Sequence, residues 1–430
     1  MIKTQKYLLI VTLMVAFTFT ALAQSTINSP YSQYGLGNLT GTYLPQNKGM
    51  GNLSAAVSYF GGYSNINLNN PASYSKIRLT TFDIGVGSNI QTLKKGSDSE
   101  NSFNAMLKHL TIAVPVNKKS AVSFGLIPYS NFGYSYTTPG TVSDINVDYF
   151  YKGEGGLSKA YLGYGFGLGK NLNLGFNMSY LFGSLKEARS TEYQDVASFY
   201  NSRTENRNGI GGLTFDLGLQ YIAALSSKTS LTIGYNTSLK SSLNTNNTNS
   251  TFTYITNIST GDEFKIDTIS SVLDREGKIN LPASHTVGIS LMKENKWLIG
   301  ADFRMSNWSD HRINGNNPNL NNTWGVSVGG VIVPNINAVT NYLKLMDYRF
   351  GVNYDKSYVK INNTEIDVKS INLGLGLPLV SNRSAFYKIN VSTEIGTRGT
   401  IDNNLIKENF YNINLGFTIN DRWFQKYKYD

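Results

Sequence analysis

The three histidines of this chain, His109, His285 and His311, stand on different segments, and no two of them have the spacing that would hold a metal ion. The chain has no cysteine, which removes thiolate metal sites, disulfide frameworks and a lipoprotein acylation site together. No Gly-x-Ser-x-Gly elbow stands between a strand and a helix, and no Gly-x-x-x-x-Gly-Lys-Ser loop opens a helix. The chain therefore reads as a non-enzyme with no cofactor and no metal. His285 shares the apolar beat of Val287, Ile289 and Leu291, which suits an interfacial position rather than a ligand role. Charges within apolar-alternating segments are more informative. Asp83, Asp216, Asp302, Arg304, Arg349, Lys369, Lys388 and Glu394 are read as facing away from the large apolar residues of their segments. Mixed signs argue against a simple ion filter, leaving a network of paired charges or a polar constriction on a substrate path.

The segments that carry these charges have a two-residue period. In Leu213-Thr214-Phe215-Asp216-Leu217-Gly218-Leu219-Gln220-Tyr221 every second side chain is large and apolar. A β-strand sends successive side chains to opposite faces, so Leu213, Phe215, Leu217, Leu219 and Tyr221 form one face and Asp216 and Gln220 belong to the other. The same beat runs through 172–180 and 411–419. About fourteen long segments of this kind are readable, near 78–93, 106–117, 119–137, 154–169, 170–185, 210–226, 228–243, 283–294, 295–308, 322–335, 344–356, 366–379, 384–398 and 407–420. Strands of about 9 to 11 residues or more suit a tilted crossing of a hydrocarbon layer, whereas soluble sandwiches use about five or six.

Composition and targeting agree with a membrane barrel. Lys3 and Lys6 precede the apolar run 7–20, and Ala21-Leu22-Ala23 is a cleavage site, so residues 1–23 read as a signal peptide. Charged residues are only 15% of the chain, with 28 Tyr and 41 Gly, as expected of interfacial aromatic belts and a crowded lumen. Short turns at 116–118, 169–171, 226–228, 293–295 and 380–382 alternate with longer polar connections. The longest, 244–281, reads as a mobile extracellular loop. An even strand number returns both termini to the periplasm of a Gram-negative cell. The basic residues are dispersed, which excludes a nucleic-acid partner. Expected domains are a signal peptide (1–23), an N-terminal hatch or plug (24–75), a transmembrane barrel (76–420) and a periplasmic tail (421–430). The tail carries Arg422, Lys426 and Lys428 among Trp423, Phe424 and Tyr427.

The run Asn47-Lys48-Gly49-Met50-Gly51-Asn52-Leu53-Ser54-Ala55-Ala56, followed by Asn70-Pro71-Ala72 just before the first long strand, resembles the hatch-to-barrel junction of the FadL/TodX family. The runs 124–130 and 155–163 also look like that family, and the opening 29–37 resembles a divergent branch of it. The resemblance implies a fourteen-stranded antiparallel barrel with an N-terminal hatch. It also implies passive transport of hydrophobic compounds such as long-chain fatty acids or aromatic hydrocarbons, with sideways exit through the wall into the lipid. The alternative is a non-transporting barrel subunit of an outer-membrane protein complex, such as a type IX secretion machine. The partners are then outer-membrane lipid with a hydrophobic ligand in the first case, and other outer-membrane or periplasmic proteins in the second.

Overall fold

The computed structural model describes residues 29–60, 64–194, 199–257, 260–379 and 385–423. The wall is one closed sheet of fourteen antiparallel strands: β1 (Thr80–Lys95), β2 (Asp98–Asn117), β3 (Ser120–Asn131, continued as Tyr134–Val142), β4 (Ile145–Leu168), β5 (Leu172–Tyr193), β6 (Asn201–Ala224), β7 (Thr229–Ser238, continued as Ser241–Thr256), β8 (Glu263–Leu281, continued as Ser284–Lys293), β9 (Trp297–Ser306), β10 (Thr323–Ile332), β11 (Asp347–Ile361), β12 (Thr364–Pro378), β13 (Ala385–Arg398) and β14 (Lys407–Asp421). The wall closes where β14 pairs with β1 from Lys407/Lys94 to Asp421/Thr80. Closure pairs the backbone around nearly all of the described wall, and pairing within the wall is the condition under which strands can cross lipid.

Side-chain alternation sorts the two faces. On β6, Leu213, Phe215, Leu217, Leu219 and Tyr221 are 37% to 49% exposed, while Asp216 and Gln220 are buried inside. The outer row continues with Phe176, Met178 and Tyr180 on β5 and Tyr411, Ile413 and Leu415 on β14. Such a band is stable only against lipid.

Several strands are far longer than the bilayer needs. β4 has 24 residues and β6 has 24, about 80 Å each at the rise of an extended chain. The polar stretch 244–281, expected to be a mobile loop, instead forms the upper halves of β7 and β8, paired from Ser241/Leu281 to Thr256/Glu263. Its residues lack an apolar face because above the bilayer both faces are wet. Three of the seven connections at this end are tight turns, 96–97, 143–144 and 362–363, and part of the rhythm of short and long connections is carried by strand length instead.

The wall has one local opening. β2 and β3 pair only from Leu110/Leu126 to Asn117/Ser120. Above that level β3 turns inward at Phe132 and Gly133, and residues 98–109 of β2 pair with β1 alone. The freed edge of β3 is taken from inside by Asn38 and Leu39, which pair with Asn131 and Ser130.

Candidate functional site

Residues 29–60 and 64–77 run down the inside of the barrel, and what the molecule can pass or hold depends on this hatch. It begins at the end where the long strands project. Ser29 donates to Gly133 O through its amide (3.0 Å), and its hydroxyl bonds Glu408 at the start of β14. The expectation that both termini are periplasmic concerns residues outside those described at the N-terminus. The first described residues nonetheless lie at the end opposite the start of β1. There Tyr31 and Leu36 join Phe132, Leu157, Leu181, Trp308 and Tyr358 in an apolar cluster across the barrel mouth. The Trp308 and Tyr358 rings stand 4.6 Å apart, and the Tyr358 hydroxyl bonds Gly37 O.

Lower down, the hatch fills the lumen with backbone. Gly175 faces Pro71 so closely that a Cβ would come 2.3 Å from Pro71 C, Gly218 faces Asn70, Gly234 faces Ala55, Gly329 faces Met50 and Gly351 faces Gly51. These inward glycines lie on β5, β6, β7, β10 and β11, so a glycine belt accepts the hatch on several sides. Among the hydrogen bonds that tie hatch to wall here, seven hold Ser54 to Ser75. Asp302 accepts from the amides of Ser54 (2.7 Å) and Ala55 (3.0 Å). Gln220 donates to Ala55 O (2.9 Å), Ser290 to Ala56 O (2.7 Å) and Asn177 to Leu68 O (3.2 Å). Tyr74 donates to Asn177 (3.1 Å) and Ser75 to Asn173 (2.8 Å).

The Asn70-Pro71-Ala72 motif has a specific role in this packing. The Asn70 carboxamide oxygen caps the short 3-10 helix Pro71–Lys76 by accepting from Ala72 N at 3.1 Å, and Pro71 occupies the first helical position. The Asn70 amide then donates to Ala55 O at 2.7 Å, joining two hatch segments. Ala72 is fully buried where the glycine belt leaves room for no larger side chain.

Most of the sequence-selected charges form separate pairs inside. Asp83 meets His109 Nε2 at 2.6 Å and Thr418 at 2.6 Å. Asp216 meets Lys159 (2.6 Å) and Ser238 (2.6 Å). Arg304 reaches Asp355 (2.8 Å) and Ser327 (2.6 Å). Arg349 and Lys388 share Asp347, a residue the sequence reading passed over because it stands at a strand start. Glu394 accepts from Asn412 at 3.0 Å.

Lys369 is a correction. Its parity matches Ile371 and Leu373, both on the outer face, and it is exposed there with its ammonium 5.7 Å from the Tyr354 ring centroid. A lysine on the outer face is tolerated near the interface, where the stem lies on apolar surface and the charge reaches water. His285 also lies on the outer face, stacked on Tyr235 at 6.2 Å.

Between the apolar mouth and the glycine belt lie two chambers of about 470 and 310 Å³. Their walls mix polar and apolar surface in nearly equal parts. The larger has Lys48, Lys108, Glu394, Asn89, Asn104, Asn412 and Asn414 with Tyr43, Met106 and Phe410, and it abuts the β2–β3 opening through Asn104, Met106 and Asn131. The smaller contains the Lys159–Asp216 and Arg304–Asp355 pairs.

Comparison with known proteins places this geometry. A family model, BamG, matches residues 1–430. No curated protein matches the sequence. Among solved structures, a Pseudomonas aeruginosa FadL homologue is similar with a TM-score of 0.60 at 13% identity, covering 90% of this chain and 100% of that one. The Ralstonia pickettii toluene transporter TbuX gives 0.58 at 14% identity, with 90% and 100% covered. The Pseudomonas putida toluene transporter TodX gives 0.54 at 15%, with the same coverage. At these identities the likeness is one of fold: an outer-membrane antiparallel barrel of the FadL type.

Proposed function

The chain belongs to the BamG family, whose model spans it from end to end, and from that premise we propose that it serves as a permanently plugged barrel subunit of an outer-membrane protein assembly. The observation that carries this reading is the double closure of the lumen. An apolar cluster crosses the mouth and the hatch backbone is fitted into the glycine belt, while the chambers between them set amides and paired charges among their apolar side chains. A conduit for hydrophobic solutes would present apolar walls, since each CH₂ kept out of water gains about 0.8 kcal/mol.

The projecting sheet supplies a docking element. The upper half of β8 pairs with β7 on one side, and on the other Ile279 and Asn280 alone among its residues pair with a strand. Residues 263–276 are exposed throughout, Phe264, Ile266, Ile269, Val272 and Leu273 included. A long edge with free backbone groups and apolar side chains is a template for an extended segment of another protein. Extraction of native membranes in mild detergent tests the reading: migration in a larger complex is expected, and recovery solely as a free monomer after chemical crosslinking would overturn it.

A second reading, passive passage of hydrophobic compounds, is favoured by the opening between β2 and β3 beside the larger chamber. Toluene or lauric acid binding to the purified barrel, compared with an unrelated porin, decides it; absence of specific binding removes it.

A further inference from the structure

We infer that the larger chamber contains a site for one small anionic group, a carboxylate or a phosphate, held between Lys48 of the hatch and Lys108 of β2. The inference goes beyond the assembly reading and does not depend on it. A β-bulge creates the site. Gly85 and Val86 of β1 face His109 and Leu107, so Lys108 is the extra residue, and the usual alternation fails there. Lys108 and His109 consequently both turn inward. His109 is consumed by Asp83, whereas Lys108 faces the charges of Lys48 and Glu394 and makes no hydrogen bond or ion pair among the described residues.

Across from the bulge, Gly87 leaves a gap. A Cβ there would lie 2.7 Å from Lys108 Cε and 2.7 Å from Asn414 Oδ1. Lys48 Nζ donates to that same Oδ1 at 3.1 Å, which leaves Asn414 Nδ2 as a buried donor with no partner among the described residues. Gln91 Nε2, also on the chamber wall, is a second. Asn414 is 1% exposed and Gln91 5% exposed, so water access does not excuse either. The one carboxylate facing the two lysines, Glu394, already accepts from Asn412. Two ammonium groups and the orphan Asn414 amide therefore meet beside one occupied acid, with the Gln91 amide on the same chamber wall, and an anionic acceptor supplies what is missing. The adjoining Asn89, Asn104 and Asn412 surround that point with further amides rather than hydrocarbon.

The full barrel in detergent is titrated calorimetrically with sodium phosphate and, separately, with lauric acid. Expected is saturable binding of phosphate to the wild type, weakened at least about tenfold by Lys108→Met and by Lys48→Met, retained by Lys108→Arg, and unchanged by Lys94→Gln on the exposed end of β1. Gly87→Ala, which displaces Lys108 without removing a charge, should weaken binding too, and it replaces either lysine variant that lacks the heat-modifiable mobility of a folded barrel. Lauric acid binding that depends on Lys108 while phosphate fails would keep the site and assign the group to an amphiphile. Absence of binding of both probes, or binding indifferent to both lysines and to Gly87→Ala, overturns it.

Discussion

Substituting Gly234 by alanine tests the plug directly. A Cβ built at Gly234 lies 1.8 Å from Ala55 O, 2.3 Å from Ala55 C and 2.8 Å from Ala56 N, against the 3.0 Å that real Cβ contacts keep. The obstacle is backbone rather than the end of a flexible side chain, so the hatch must retreat by at least 1.2 Å, the difference between 3.0 and 1.8. The Ala55 carbonyl that is displaced accepts from Asn70 (2.7 Å) and Gln220 (2.9 Å), and the Ala55 amide donates to Asp302. Losing two neutral bonds and stretching one to a carboxylate costs about 2 to 5 kcal/mol, given about 1 kcal/mol net per bond and more for a buried charged acceptor. The wall itself should be untouched, because β7 and β8 still pair Gly234 with Gly288. Hydrogen exchange at residues 44–60 and 64–77 should accelerate by roughly 30-fold to a few thousand-fold, since every 1.4 kcal/mol is tenfold, while β6 to β9 keep wild-type protection. Equal acceleration of hatch and wall would show that the plug and barrel unfold together. An unchanged hatch would refute the claim that its backbone is fitted to the glycine belt.

Two further substitutions or conditions probe other parts. Asp347→Asn leaves Arg349 and Lys388 buried without their shared counter-charge and should lower stability by about 3 to 5 kcal/mol, whereas Lys388→Met leaves a balanced pair and costs less; the order of apparent melting temperatures in detergent checks this, and the reverse order would sink it. In the loop 307–322, outside the membrane-spanning strands, burial holds the His311 imidazole below its usual pKa. The unfolded loop then binds the proton first, so local stability is full above about pH 6.5 and is lost as pH falls below it. Trp308, whose ring is 5.4 Å from that of His311, should report loop release by fluorescence between neutral pH and pH 5, and His311→Gln should abolish the change.

The wall was legible wherever one face meets lipid. Leu213 to Tyr221 shows the period and the lumen position of Asp216, and about fourteen segments of its kind give the strand count, without any coordinates. Asn70-Pro71-Ala72 was also legible as a junction, because a capping residue, a proline and a small residue are local requirements. What escaped has physical causes. The upper halves of β7 and β8 carry no apolar face and so read as loop. Lys369 was assigned the wrong phase against Ile371 and Leu373. The inward pair Lys108 and His109 depends on a bulge fixed by the partner strand, which no period in β2 announces. The glycine belt was visible only as composition, since its meaning comes from a hatch that meets strands far apart in sequence.

The glycine belt also bears on function. In a lumen filled by side chains, rotamer changes can open a path in small steps. Here wall and hatch meet backbone to backbone, at Gly175 with Pro71 and at Gly351 with Gly51, and backbone has no rotamers to change. Opening the lower half of the lumen therefore requires the hatch to leave as a unit and to break at least the seven wall bonds named above together. At about 1 kcal/mol net for each, that costs roughly 7 kcal/mol, an open population on the order of one in 10⁵. The β2–β3 opening carries no such cost, and the free edge of β8 stands outside the membrane altogether. On the assembly reading proposed above, a partner would therefore meet this barrel at its projecting sheet, and any passage straight through the lumen would first need the hatch to be displaced.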